Sequence, residues 1–133
     1  MYKLPDGQLD IYSVYCPLEQ LIDMNNRWVK WSKEIPWAEL ELSWAERLYA
    51  SRGAPAKDLR KILGAYLIKE KLHLTERETV NVITENPYLQ YFIGLAEFTH
   101  EPVLHHTLLG RFARRLDKAA LKELQQLLKR MKA

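Results

Sequence analysis

The chain has 133 residues, 47% of them hydrophobic and 28% charged, the size and composition of one folded domain with a real core. Its apolar content excludes a disordered tail, and no apolar run approaches the roughly 18–20 residues of a membrane-spanning helix. The opening MYKLPDGQLD has none of the regions of a secretory signal, and one cysteine, Cys16, leaves no disulfide framework and no cysteine-based zinc site, so a cytoplasmic protein is expected.

A catalytic domain of 150 or so residues does not fit beside a second domain in this length. The net charge of +3 is unevenly spread. Residues 1–56 carry six Lys/Arg against eight Asp/Glu, and residues 57–103 carry six against seven. Residues 104–133 carry eight against two, so a near-neutral body ends in a basic third suited to a polyanion.

Residues 1–16 form a weakly patterned leader, with IYSVY at 11–15 the one candidate strand, and 17–133 read as a helical domain. Leu18, Leu21, Ile22, Trp28 and Val29 fit one or two helical segments before Ile35, with a break or recap at Asn25-Asn26. Pro36 suits a first helical turn, followed by Trp37, Leu40, Trp44 and Leu48 inward and Glu39, Glu41 and Glu46 outward. SRGAP at 51–55 is a loop.

Leu59, Ile62, Leu63, Tyr66 and Leu67 give a buried face to a helix expected over about 56–72. Thr75-Glu76-Arg77-Glu78 is a capping box that starts a helix with Val80 and Ile83 inward. Asn86-Pro87 is an N-cap with a first-turn proline, so a further helix covers about 87–95. A loop follows around His100 to Val103. The next helix starts near His106 or Thr107, with Leu108, Leu109, Phe112 and Leu116 as its apolar stripe. Asp117 caps a last helix whose inward residues are expected to be Leu121, Leu124, Leu128 and Met131. The expected fold is an all-α compact bundle of about six or seven helices, with helix-turn-helix-like pairs such as 56–72 and 76–85.

The strings IPWAELEL (35–42), LRKILGAYLIKEKLHLTERETV (59–80), ENPYLQYFIGL (85–95) and TLLGRFARRL (107–116) occur here in order. Over residues 25–128 the chain resembles the N-terminal domain of InsH-type insertion-sequence transposases, enzymes of the acid-triad (DDE) class. That resemblance implies a non-catalytic helical domain engaging transposon-end DNA, the terminal inverted repeats, ahead of a ribonuclease-H-like domain. There three carboxylates hold divalent metals for attack on phosphodiesters. The sequence reaches Ala133 before such a domain, so no catalytic residue is carried over. A fragment, a truncated gene product and a stand-alone remnant are all consistent with that. Where the family has Asp-Pro at the start of the basic helix, this chain has His105-His106. Those residues cap and preset a turn less well, so a frayed start is one expectation and added phosphate donors another.

At 100° per residue, Arg111, Arg114, Arg115 and Lys118 share a face with Thr107 and Gly110, where a phosphate approaches closely. Lys122 extends this set, and Lys129, Arg130 and Lys132 follow as further DNA contacts or a linker helix. The alternatives are a solvated face or ion pairs to the acidic 39–46 segment. Arg77, Asn81 and Thr84 form a second base-reading candidate against an ordinary exposed face. His100, His105, His106, Glu97 and Glu101 match no metal spacing, and no cofactor or small-molecule substrate is expected. The tryptophans with Tyr88, Tyr91 and Phe92 read as core rather than a base-stacking set. Duplex DNA is the expected partner. The competing reading is a protomer-pairing module that makes a homodimer through the 36–50 and 87–96 helices, and the third is a remnant regulating the full-length enzyme.

Overall fold

Polar side chains at positions 26, 75, 86, 105 and 117 each accept a backbone amide and set the starts of five helices. The computed structural model describes residues 17–49 and 56–131, which contain eight helices and no strand beyond an isolated Pro17–Glu97 bridge. These are α1 (Leu18–Leu21), α2 (Arg27–Glu34), α3 (Trp37–Tyr49), α4 (Ala56–Leu72), α5 (Glu76–Glu85), α6 (Pro87–Phe92), α7 (His106–Arg115) and α8 (Lys118–Arg130). The all-α expectation holds, and the count exceeds seven because the 18–35 stretch divides. Asn26 recaps the chain there, its side-chain oxygen accepting the Trp28 amide at 2.8 Å. The candidate strand at 11–15, Cys16, the 51–55 loop, the side chains of Glu46 and Leu48, and Lys132 lie outside the described residues.

The long helix α4 is central, packing against α3, α5, α7 and α8, while α6 packs against α1, α2 and α5. The capping box is formed in full: Thr75 Oγ1 accepts the Glu78 amide at 3.1 Å, and Glu78 Oε1 accepts the Thr75 amide at 2.9 Å. These bonds hold the Glu78 carboxyl below the usual carboxylate range. Asn86 caps α6 through the Tyr88 and Leu89 amides. That helix ends at Phe92, short of the expected 95, because Gly94 turns the chain with a φ of +95°.

The tryptophans are core, as expected. Trp28 meets Trp31 and Phe92 edge-on at 5.0 and 5.2 Å, and Trp37 meets Phe92 at 5.4 Å. The Arg60 guanidinium lies 4.6 Å from the Trp37 ring and donates to the Phe92 carbonyl, so α4 is tied to the end of α6. Gly64 lets that turn come close, since a Cβ there would meet Ile93 Cγ2 at 2.9 Å.

Gln90 fixes the loop that follows. It is fully buried, its Nε2 lying 3.1, 3.3 and 2.9 Å from the carbonyls of Ile83, Thr84 and Thr99, while its Oε1 accepts the Thr99 amide at 2.9 Å. Two carbonyls at the end of α5 are thereby satisfied, and the 96–100 backbone is held beside them. This bond set places the approach to α7.

Candidate nucleic-acid interface

Helix α7 is anchored by its apolar side. Leu109 and Phe112 are buried, and Leu108 and Leu116 are half-buried, as the stripe predicts. Phe112 stacks on Trp44 at 5.9 Å and meets the Tyr66 edge at 5.6 Å, which locks α7 against α3 and α4. A fixed inner face leaves a fixed outer one. Thr107, Arg111 and Arg114 are exposed there, and Arg115 is half-buried.

The continuous basic face expected through Lys118 is not one helical surface. α7 ends at Arg115, Leu116 is extended, and Asp117 starts α8 by accepting the Ala120 amide at 2.7 Å. Lys118 and Lys122 are exposed on α8, with Lys129 and Arg130 further along it. The candidate cations are therefore divided between two helices joined by a cap. Leu124 and, at the C-cap of α8, Met131 are buried as expected, together with Ala120 and Leu127, whereas Leu121 is 43% exposed and Leu128 only half-buried, a correction at those two positions.

Gly110 also departs from expectation. It is buried, and a Cβ there would lie 3.2 Å from both Glu76 carboxylate oxygens and 3.5 Å from Arg114 Nη1. The space foreseen for a phosphate is occupied by a carboxylate from α5. A carboxylate of α5, Glu76, thus stands beside the basic helix.

The helix start is not frayed. His105 is its N-cap: the imidazole Nδ1 accepts the Thr107 amide at 3.2 Å and lies 2.7 Å from the Thr107 hydroxyl. A ring nitrogen that accepts an amide carries no proton, so the neutral ring is protonated at Nε2. His106 stacks on His105 with centroids 4.5 Å apart. Lost hydration, then the charges of Arg77 and His105, hold the His106 imidazole below its ordinary value, with Glu76 pulling the other way. His100 instead meets the Phe98 ring edge-on, at 4.9 Å. Among the described residues no three His, Cys, Asp or Glu converge as a metal site would need.

Between α5 and the start of α7 lies an open groove of about 380 Å³. Val80, Pro102 and Leu104 give it an apolar lining, and Arg77, Asn81, His105 and His106 supply its polar groups. Two members of the second candidate set, Arg77 and Asn81, are brought together here. Thr84 is not: its hydroxyl donates to the Val80 carbonyl within α5. Sequence reasoning missed the joining of this helix to the histidines, which depends on the buried Gln90. The one signal in the sequence was Arg77 and Asn81 four residues apart on an otherwise apolar-anchored helix.

Residues 17–115 match the family described as "Transposase domain (DUF772)". The chain belongs to that transposase domain family. It is also 29% identical over 107 residues to a Rhizobium meliloti protein described as "Uncharacterized protein ORF8 in nfe locus". The match covers 80% of this chain and 51% of that protein, so the chain spans about half the length of this curated relative. No solved structure matches it. None of the described helices is long and apolar enough to cross a membrane.

Proposed function

We propose that this transposase domain binds the duplex ends of a mobile element, the terminal inverted repeats, as a non-catalytic N-terminal part of an acid-triad transposase. The observation that carries this reading is the outer face of α7. Arg111 and Arg114 stand exposed on a helix whose opposite face is pinned by Phe112 against Trp44 and Tyr66. Exposed Thr107 precedes them, and Lys118 and Lys122 follow on α8, with half-buried Arg115 between. Arginine offers a planar fork to phosphate, and a rigid support lowers the cost of holding it in place. On this reading the catalytic carboxylates belong to the family's ribonuclease-H-like domain and no residue of this chain is given that role.

The protomer-pairing reading loses its main surface, since Leu89, Gln90, Phe92 and Ile93 from the 87–96 segment are buried within the domain. Leu42 on α3, 72% exposed, keeps a smaller version of it alive. Gel-shift titration of an inverted-repeat duplex against a scrambled one, over a salt series, tests the main reading. Tighter binding to the repeat, with affinity falling as salt rises, is the expected result. Equal and salt-insensitive weak binding to both would overturn it, and a concentration-dependent dimer by light scattering would then favour pairing.

A further inference from the structure

The groove between α5 and the start of α7 is not part of the outer α7 face, and its chemistry differs. We propose that it is a nucleotide-binding notch, taking one unpaired nucleotide of a DNA end with the base against the apolar lining and the phosphate toward Arg77. This rests on the DNA-end reading above and adds to it a second, strand-specific contact.

Reading a duplex in its groove requires a protruding helix or ribbon, whereas this feature is concave. Its volume of about 380 Å³ lies within the range of small-ligand sites. The lining also favours a base over a bare phosphate. Val80, Pro102 and Leu104 give an apolar surface that a phosphate would leave unused but that a flat heterocycle covers well. The stacked rings of His105 and His106 add an aromatic edge beside it.

The polar groups match a nucleotide's remaining parts. Asn81 is exposed on α5 and its side chain has no hydrogen-bond partner among the described residues. Its amide presents a donor and an acceptor together, as the edge of a base requires. Arg77 carries a permanent charge and likewise makes no ion pair among the described residues, leaving it open to a phosphate. The His105 cap leaves the Nε2 proton free as a further donor.

His106, at the groove, and Arg111, on the outer face, are five residues apart on one helix, a rise of roughly 7 Å.

The test compares a blunt duplex of about 20 base pairs carrying the inverted repeat with the same duplex bearing an overhang of about three nucleotides, on the 3′ or the 5′ strand. Fluorescence anisotropy with the full chain should give binding about fivefold or more tighter for one overhang polarity than for the blunt end. Asn81→Ala should bring that ratio close to one, and Arg77→Ala should reduce it. A substitution that merely disturbs α5 would weaken both duplexes together and keep the ratio. Equal affinity of the unaltered chain for blunt and overhung ends of both polarities overturns the proposal. If no duplex binds, the DNA-end reading fails by itself, and the notch is judged by amide chemical shifts with a deoxyadenosine trinucleotide and with inorganic phosphate. Shifts at Asn81 with the trinucleotide alone support it, while none, or equal shifts with phosphate, refute it.

Discussion

The aromatic half of the domain, α1, α2 and α6, and the basic half, α7 and α8, both contain helices capped by side chains, yet they use their remaining side chains in opposite ways. In the first, Trp28, Trp31 and Phe92 turn inward, and even the amide of Gln90 is consumed by backbone groups. In the second, a narrow apolar stripe fixes each helix and the cations stay outside. The difference separates support from contact: the aromatic half holds the loop that sets α7, and α7 presents charge. Substitutions in the first half should therefore cost stability, and substitutions on the outer face of the second should cost binding alone.

The largest expected effect is in the aromatic half. Phe92→Ala removes a fully buried ring that touches both Trp28 and Trp37, and should destabilise the domain by about 3–5 kcal/mol in urea denaturation. A loss below about 1 kcal/mol would show that this half is not the support. Gln90→Leu should cost about 2–3 kcal/mol, because it takes the side-chain partner from the Thr99 amide and from the Thr84 and Thr99 carbonyls. Hydrogen exchange should then quicken over 96–105 before it does in α4.

Smaller effects sharpen the boundary between the halves. His105→Ala removes the cap of α7 and should cost about 1 kcal/mol, with fraying confined to the first turn of that helix. The pH dependence of His106 is smaller still. Because the folded state holds this imidazole below its ordinary value, the unfolded chain takes up the proton first. Its contribution is complete above the ordinary histidine value near 6.5 and is lost as pH falls toward the lower folded value. Comparing urea midpoints at about pH 7.5 and about pH 5.5, His106→Asn should show a shallower fall than the unaltered chain.

Local chemistry made much of this fold legible. The Leu59 to Leu67 pattern and the Thr75 capping box are sequence-local, and α4 and α5 begin and end where those signals put them. The inward face of α8 was not legible, because Leu121, Leu124, Leu127 and Leu128 allow two neighbouring stripes, and only packing selects the one containing Ala120 and Leu127. The basic cluster misled for a related reason. A uniform 100° step carries Lys118 onto the face of α7, but the Asp117 cap interrupts that step. Glu76 beside Gly110 is a long-range approach with no trace in local spacing. His105 shows the converse: a residue type that seldom caps does so here through a ring nitrogen rather than a carboxylate.

The central claim is that the outer face of α7 lies along phosphates, and the double variant Arg111→Ala/Arg114→Ala tests it most directly. Both residues are exposed and off the Leu109/Phe112 stripe, so denaturation should match the unaltered chain within about 0.5 kcal/mol. Affinity for the inverted-repeat duplex should fall, and the log–log dependence on salt should become shallower by roughly 2, at about 0.9 for each phosphate no longer neutralised. A double variant with unchanged folding, unchanged affinity and an unchanged salt slope would contradict the account.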